Sequence, residues 1–234
     1  MNLIVDEGNT NIKLGAFEKD NFLWVETFQN IEKVLDRIEL LNADQILIST
    51  VKNISAWEIL KKNSHTVFLD SKIILPIQIN YDSRETLGTD RIASASAASM
   101  LYPDSNCLVF DIGTCLTHGF IDKSGVFQGG SISPGLEMRL QALHHFTAKL
   151  PYIPVEQEEL TGHSTKASII SGVINGITFE INGFIEAYQN KYVDLIVLMT
   201  GGNALLFEKR LKQPIFVTAE LNLIGLNRIL NHNV

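Results

Sequence analysis

Two short segments of the sequence each place a carboxylate at the end of an apolar run, directly before a turn that contains glycine. Asp6 ends the first run and precedes Gly8, while Asp111 ends the second run and precedes Gly113. Glycine lets the backbone approach a ligand closely, and successive N–H groups in such a turn form a concavity that binds anions. The repeat of this design predicts two halves of the molecule that contact one nucleotide phosphate tail.

The first segment carries further groups that suit a phosphate. Asn9 and Thr10 bring polar side chains, Lys13 brings a cation, and Asp6 can hold Mg²⁺ directly or through water because Mg²⁺ combines few carboxylates with phosphate oxygens. The alternative is a hairpin in which the Asp and Asn side chains only satisfy their own turn. One segment alone leaves both interpretations open, and the second copy at Asp111 favours ligand binding.

The second segment repeats the combination of close backbone approach and hydroxyl groups at Gly113, Thr114 and Thr117. The sequence lacks both the GxxxxGK[ST] phosphate loop and a GxGxxG turn between a strand and a helix. A nucleotide site in this chain is therefore of another type.

A third segment, Gly88-Thr89-Asp90-Arg91, places an acidic and a basic residue together at the start of a predicted helix. In one interpretation Asp90 is an N-terminal helix residue favoured by the helix dipole, and Arg91 is its solvated neighbour. In the other, Asp90 accepts a substrate hydroxyl proton during phosphoryl transfer, and Arg91 grips a substrate carboxylate with two hydrogen bonds.

Hydrophobic periodicity predicts strands and helices that alternate, with a similar hairpin plan at the start of each half. Strands are expected near residues 3–6, 12–17, 23–28, 45–50, 107–111, 120–121, 126–127 and 195–200. Helices are expected near residues 31–41, 54–60, 88–101, 136–143 and 163–189. The helix at 88–101 has small side chains and is expected to pack at an interface. The polar stretch at 102–106 is the expected domain boundary.

Composition limits the partners and the compartment. The 234 residues carry a net charge of −7 and no run of Lys or Arg, so we expect neither nucleic acid nor an anionic membrane as a partner. The chain enters a strand pattern at once, and no apolar stretch is expected to span a bilayer, which favours a cytoplasmic protein. Cys107 and Cys115 offer neither a disulfide framework nor a zinc pair.

Taken together and in this order, the segments resemble type III pantothenate kinase over nearly the whole chain. The motifs are Asp6-x-Gly8-Asn9-Thr10-Asn11, Gly88-x-Asp90-Arg91, Asp111-x-Gly113-Thr114-x-x-Thr117, Gly129-Gly130-x-Ile132-x-Pro134-Gly135, Ala148-x-Leu150-Pro151 and Thr200-Gly201-Gly202-Asn203. The resemblance implies an α/β protein of two ribonuclease-H-like domains, the actin-like ATPase fold, with mixed sheets and a nucleotide cleft between the domains. The expected domains are residues 1–105 and 106–234.

The resemblance also assigns roles to residues that match the family's motifs. The implied reaction transfers phosphate from ATP to pantothenate, giving 4'-phosphopantothenate in the first step of coenzyme A synthesis, in a homodimer that uses Mg²⁺ and a monovalent cation, K⁺ or NH₄⁺. Asp111 is implied to bind the monovalent cation, and Asp90 is the implied proton acceptor. The implied ATP contacts are Asp6, Glu7, Gly8, Asn9, Thr10, Asn11, Ile12, Lys13 and Thr114, and the implied pantothenate contacts are Tyr81, Gly88, Thr89, Asp90, Arg91 and Thr165.

Two positions depart from the family pattern. Glu7 stands where the family usually has an apolar residue, and the pair His118-Gly119 stands where a second Asp is common nearby. These departures leave two alternatives open. One is a nonenzymatic nucleotide-binding regulator of the same fold, and the other is a kinase for another small hydroxyl substrate.

Overall fold

A computed structural model describes residues 1–155, 159–212 and 214–234 and, at Lys62, the backbone only. The strands are β1 (Asn2–Glu7), β2 (Ile12–Glu18), β3 (Asn21–Phe28), β4 (Gln45–Thr50), β5 (Thr66–Phe68), β6 (Gln78–Ile79), β7 (Cys107–Ile112), β8 (Cys115–Ile121), β9 (Val126–Pro134), β10 (Ile196–Thr200) and β11 (Phe216–Val217). The helices are α1 (Ile31–Glu39), α2 (Thr89–Leu101), α3 (Leu136–His145), α4 (Thr165–Gln189), α5 (Ala204–Glu208) and α6 (Leu221–Asn233), with 3₁₀ helices at Ile54–Lys62 and Arg84–Thr86.

The two sheets share one plan. The first sheet has the order β3-β2-β1-β4-β5, and the second has β9-β8-β7-β10-β11 with β6 added beside β9. In the first, β1 is antiparallel to β2 and parallel to β4; in the second, β7 is parallel to β10. The predicted α/β class with mixed sheets is confirmed, and the common strand order agrees with a duplicated unit.

The chain forms two compact units that are not contiguous in sequence. Unit 1 contains Met1–Asp104, Ile121–Gly129 and Glu220–Val234, and unit 2 contains Ser105–Phe120 and Gly130–Ala219. The predicted domains, 1–105 and 106–234, differ from these units in the stretches 121–129 and 220–234. The first boundary of the units falls within the predicted linker at 102–106, and separate folding of the two predicted domains stays a prediction.

Unit 1 is built around β1, which lies between β2 and β4 and is buried on both faces because helices pack on each side of the sheet. Leu3 and Val5 pack on one face with α1 and Trp57, while Ile4 packs on the other with Leu223 of α6. Alternation of side chains along a strand produces this division.

Helix α2 packs against α6, a partner that the sequence pattern did not identify. A side chain at Gly225 of α6 would place its Cβ only 1.8 Å from the carbonyl oxygen of Ala93 in α2. The small residues of α2 therefore allow two helices of unit 1 to approach closely. The contact between α2 and α6 is an interface of the kind that the sequence predicted for α2.

Helix α4 forms the centre of the unit 2 core. It begins after Ser164, whose side chain accepts a hydrogen bond from the N–H of Ala167, as a helix N-cap does. The isoleucines that pack in the core are Ile169, Ile170, Ile174, Ile177, Ile181 and Ile185. The helix matches the prediction at 163–189.

By length and hydropathy α4 is also the one helix in the described part of the chain that would be able to cross a membrane. The expectation that no apolar stretch is long enough is therefore wrong for this helix. Half of its most apolar window is buried inside the protein. The core helix of a globular unit meets the same criteria of length and hydropathy. Packing in the core of unit 2 accounts for the many isoleucines of α4.

Candidate active site

The turn between β1 and β2 displays polar groups at the end of a buried strand. Asp6 pairs across the hairpin with Lys13, and the backbone N–H of Gly8 donates to the carbonyl oxygen of Asn11 at 3.0 Å. Asn9 and Thr10, between them, are exposed. The turn thus carries the carboxylate and the cation that its sequence predicted, the Gly8 N–H donates within the turn itself, and contact with ATP stays a prediction.

Two members of the predicted ATP segment direct their side chains away from this turn. Ile12 lies in the apolar core of unit 1, and Glu7 is only 2% exposed. The carboxylate of Glu7 accepts hydrogen bonds from Thr50 Oγ1 at 2.7 Å and from Trp57 Nε1 at 2.8 Å. Only the backbones of Glu7 and Ile12 are therefore placed to take part in the predicted phosphate turn.

The start of α2 holds Asp90 in a fixed orientation. Its Oδ1 accepts a hydrogen bond from the backbone N–H of Arg91 at 2.8 Å. Gly88 leaves room for this carboxylate, since a Cβ at that position would lie 2.4 Å from Asp90 Oδ1. Thr89 Oγ1 is buried and has no hydrogen-bond partner among the described residues. A buried hydroxyl of this kind is available to a ligand, because satisfying it relieves a desolvation cost.

Arg91 lies between two aromatic rings. Its guanidinium carbon is 5.5 Å from the ring centre of Tyr81 and 5.4 Å from that of Phe127, and Nη1 donates to the Tyr81 hydroxyl at 3.4 Å. The residue is 6% exposed, so cation–π contacts hold its planar group in a site that excludes water. The structure therefore brings together Tyr81, Asp90 and Arg91, three of the predicted substrate residues.

Phe127 is a member of this cluster that sequence reasoning missed. It reaches the cluster because β6 pairs with β9, which places Ile79 opposite Phe127. The following glycine, Gly129, has φ of +93° and faces the ring of Tyr81, which a Cβ there would touch at 3.6 Å. The Gly129-Gly130 motif was a signal for this contact, but the partner ring was not evident from spacing.

The turn between β7 and β8 places Asp111 next to a second glycine-rich segment. Asp111 pairs with Thr200 of β10, and the next residue, Gly201, has φ of +95°. A Cβ on Gly201 would lie 2.5 Å from Asp111 Oδ1 and 2.6 Å from the backbone of Ile112, so only glycine allows this segment to pack so closely against the carboxylate. Thr114 is exposed in the turn itself, and the backbone N–H of Gly135 donates to its carbonyl oxygen at 3.2 Å.

The carboxylates of the two turns suit cations that complete their coordination elsewhere. Among the described residues no three His, Cys, Asp or Glu side chains gather into a group that would hold a metal ion. A single carboxylate beside phosphate oxygens fits Mg²⁺, which retains most of its ligands from water and substrate. Asp6 has that setting next to the predicted phosphate turn. Asp111 lies at the end of β7 beside Gly113 and Gly201, and a carboxylate there could be one ligand of a monovalent cation.

Thr165 belongs to unit 2 and begins α4. It is exposed and lines a cavity of about 930 Å³ between α3 and α4, whose walls include Leu143, Phe146 and Val173. The polar residue Arg139 also lines this cavity and forms an ion pair with Glu180. Thr165 therefore stands at the mouth of an apolar groove, and its contact with substrate stays a prediction.

The departure from the family pattern at His118-Gly119 lies in the core of unit 2. His118 is buried, with its Nδ1 2.7 Å from Ser131 Oγ and its ring 4.2 Å from that of Phe184. A Cβ on Gly130 would lie 1.9 Å from the His118 carbonyl oxygen. This segment is thus occupied by packing, which agrees with the absence of a second carboxylate there.

The repeated sheets and carboxylate-bearing turns define the actin-like ATPase fold, and solved structures agree with that fold. A conserved Campylobacter jejuni protein described as a Baf family transcriptional activator is 22% identical, with a TM-score of 0.65 over 99% of this chain and 98% of its own. A glucokinase from an Antarctic psychrotroph is 12% identical, with a TM-score of 0.52 over 100% and 99%. These likenesses show the fold.

Sequence relatives narrow the class to one family. The family model described as type III pantothenate kinase matches residues 2–187. Proteins named type III pantothenate kinase from Cytophaga hutchinsonii and Christiangramia forsetii are 56% and 40% identical; each match covers 100% of this chain, and they cover 100% and 99% of the relatives. The chain belongs to the type III pantothenate kinase family, as the motifs predicted.

Proposed function

We propose that this protein transfers the terminal phosphoryl group of ATP to the hydroxyl of pantothenate and releases ADP and 4'-phosphopantothenate, the first step of coenzyme A synthesis. The observation that carries the proposal is the cluster at the start of α2. A carboxylate at Asp90 stands beside a buried guanidinium, Arg91, which two aromatic rings hold in place. Pantothenate offers the matching groups, a carboxylate and a primary hydroxyl.

In this reaction Arg91 and Tyr81 bind the substrate, and Asp90 orients the hydroxyl that attacks. Arg91 grips the pantothenate carboxylate, since a guanidinium pairs with a carboxylate through two parallel hydrogen bonds. A primary alcohol is a very weak acid, so Asp90 accepts its proton as phosphoryl transfer proceeds and not before. Thr89 Oγ1, which is buried without a partner in the described chain, supplies a further hydrogen bond to substrate.

The turn after β1 is the proposed site of the ATP phosphates. The proposed contacts run from Asp6 to Lys13, with the backbone of Gly8 close to the phosphates and the Lys13 ammonium beside them. Bound Mg²⁺ neutralises charge on the phosphates. Asp6 holds that ion directly or through water, because the Glu7 carboxylate, although nearer the turn in sequence, is buried and bonded to Thr50 and Trp57.

The turn after β7 has a different proposed task. Asp111 binds a monovalent cation, K⁺ or NH₄⁺, and Thr114, which is exposed in the same turn, contacts ATP. Positioning and charge neutralisation account for most of the rate acceleration in such a mechanism.

The proposed form of the protein is a cytoplasmic homodimer. Phe146, at the end of α3, is 82% exposed beside the groove that Thr165 lines. A second copy of the chain would cover this apolar face, which water would otherwise wet. Light scattering after gel filtration tests the dimer, with a mass near 52 kDa, roughly twice 26.1 kDa, as the expected result.

The proposed reaction is tested by ADP release from purified protein with MgATP, with and without pantothenate and with and without K⁺. We expect release that depends on pantothenate and rises with K⁺. Release that requires a different hydroxyl compound would identify another substrate. Nucleotide binding without release for any compound in a panel of alcohols would indicate a regulator and contradict the proposed reaction.

A further inference from the structure

Glu7 makes four contacts with the stretch of chain that runs from the last residue of β4 to the following 3₁₀ helix. Its carbonyl oxygen accepts from the backbone N–H of Val51 at 3.1 Å. Its carboxylate accepts from Thr50 Oγ1 and from Trp57 Nε1, and it lies 3.5 Å from the Lys52 ammonium. One residue therefore fastens the end of β4 and the following 3₁₀ helix to the end of β1.

A buried carboxylate at position 7 is unfavourable for folding unless its charge is compensated. Burying a charge costs free energy unless hydrogen bonds and an opposite charge compensate it. The repeat in unit 2 shows what the scaffold accepts instead, because Ile112 occupies the position that corresponds to Glu7 and packs in an apolar core. Packing alone would be served by an apolar side chain at position 7 as well.

The polar contacts of Glu7 act on the backbone at the predicted phosphate turn. Glu7 lies between Asp6, the proposed Mg²⁺ carboxylate, and Gly8, whose backbone is proposed to approach the phosphates. Trp57 has no exposed surface and is part of the unit 1 core, so it is a rigid anchor for the Glu7 carboxylate. A side chain fixed to such an anchor restricts the backbone on both sides of it.

We propose that Glu7 is a positioning residue for ATP: its buried carboxylate, held by Trp57 and Thr50, fixes the turn after β1 in the conformation that binds phosphate. The inference rests on the proposed function and adds a residue whose side chain touches neither substrate. A displacement of about 1 Å in such a turn is enough to weaken catalysis by roughly a hundredfold.

The test compares Glu7→Ile with Glu7→Gln in ATP binding and in steady-state kinetics. Glu7→Ile copies the residue of the second repeat and removes every side-chain hydrogen bond. We expect its Kd for ATP and its KM for ATP to rise roughly tenfold, while the KM for pantothenate changes less than about twofold. Glu7→Gln keeps an acceptor for Trp57 and Thr50, and we expect it to restore ATP binding to within about threefold of the original protein.

A matched control lies at the opposite end of the same strand. Asn2 begins β1 and donates to Asn227, which is also buried and polar and belongs to unit 1. Asn227→Ala is expected to lower the melting temperature without changing ATP affinity. If Glu7→Ile lowers the melting temperature but leaves ATP affinity equal to that of the control, Glu7 is only structural and the inference is wrong.

Two outcomes keep this test separate from the proposed function. Should Glu7→Ile fail to fold, Trp57→Phe decides, because it removes the indole donor and keeps an aromatic ring in the core. Unchanged ATP affinity would overturn the inference, and a rise of about threefold in the Kd for ATP would support it. Wild-type protein without pantothenate-dependent ADP release would contradict the proposed reaction, whereas the ATP affinities of the variants would still test the role of Glu7.

Discussion

Strands β1 and β7 occupy the same position in their sheets and carry an aspartate at the same place, yet the residues around that aspartate differ. Asp6 and Asp111 each pair with a hydroxyl residue on the neighbouring parallel strand, Ser49 in one unit and Thr200 in the other. The next residue on the aspartate's own strand is Glu7 in β1, but it is Ile112 in β7, buried among hydrocarbon.

A second difference lies on the neighbouring strands. Thr200 is followed by Gly201, which packs closely against Asp111, whereas Ser49 is followed by Thr50, whose hydroxyl donates to the Glu7 carboxylate. In one copy of the duplicated scaffold a glycine therefore packs beside the aspartate, and in the other a buried glutamate holds the neighbouring strand. Duplication supplies two equivalent carboxylates with different neighbours, and we propose that they have different tasks.

The largest effect is expected from exchanging the residues that distinguish β1 from β7. Ile112→Glu places a carboxylate in the apolar core of unit 2, whose described residues include no tryptophan to bind it as Trp57 binds Glu7. We expect the free energy of unfolding to fall by about 3–5 kcal/mol, because the charge is buried without partners. Urea denaturation measures the loss, with Ile112→Val, at about 1 kcal/mol, as the control. A loss no larger than that of the control would contradict the account of this position.

The proposed division of tasks predicts different losses from the same substitution in the two turns. Asp6→Asn is expected to lower kcat/KM for ATP by roughly a hundredfold and to raise the Mg²⁺ concentration needed for half-maximal rate. Asp111→Asn is expected to abolish activation by K⁺ while the Mg²⁺ requirement stays the same. Initial rates measured against each cation separate the two. Identical cation profiles for both variants would remove the distinction between the turns.

A smaller effect is expected from adding a side chain where Gly201 packs against Asp111. Gly201→Ala combines a positive φ with a Cβ 2.5 Å from Asp111 Oδ1, and we expect a loss of about 1–3 kcal/mol in unfolding free energy. Gly202→Ala is the control, since a Cβ there would meet no atom within 4 Å. Thermal denaturation of both variants tests this, and equal melting temperatures would show that the close packing at Gly201 does not require glycine.

The smallest effect is expected at the first residues of β1 and β7. It is a dependence of stability on pH. Cys107 stands where β1 has Asn2, and burial raises the pKa of its thiol to about 12. The unfolded thiol ionises near its usual pKa of about 8.5, so the stabilisation is complete below that pH and is lost as pH rises towards 12.

Urea denaturation of the wild type and Cys107→Ala at pH 8.0 and 10.5 measures this dependence. The difference in unfolding free energy between the two proteins is expected to shrink by roughly 1–3 kcal/mol at the higher pH. A difference that does not change with pH would show that the thiol ionises equally well in the folded state.

The sequence predicted the parts of this fold that depend on local pattern. Apolar runs ending in Asp6 and Asp111 identified β1 and β7, and the repeat identified the duplicated plan before any pairing was known. The start of α2 was equally clear, because Gly88 and Asp90 act within one turn of chain. Local geometry of this kind is encoded by neighbouring residues.

The features that escaped prediction depend on contacts between distant residues. Glu7 was implied to contact ATP, but Trp57, fifty positions along the chain, binds its carboxylate. Phe127 reaches Arg91 through the pairing of β6, a strand of two residues that is too short to show a period. Helix α6 likewise escaped notice, although its contact with α2 explains the small residues there.

We propose that Asp90, which lies outside both repeated turns, accepts the proton of the pantothenate hydroxyl. The most direct measurement compares single-turnover formation of 4'-phosphopantothenate by wild type and Asp90→Asn, with ATP affinity determined on the same preparations. We expect the rate of Asp90→Asn to be lower by about 10²–10⁴-fold, with ATP affinity and melting temperature unchanged. A rate within a few fold of the wild type, in a folded variant that binds ATP normally, would contradict it.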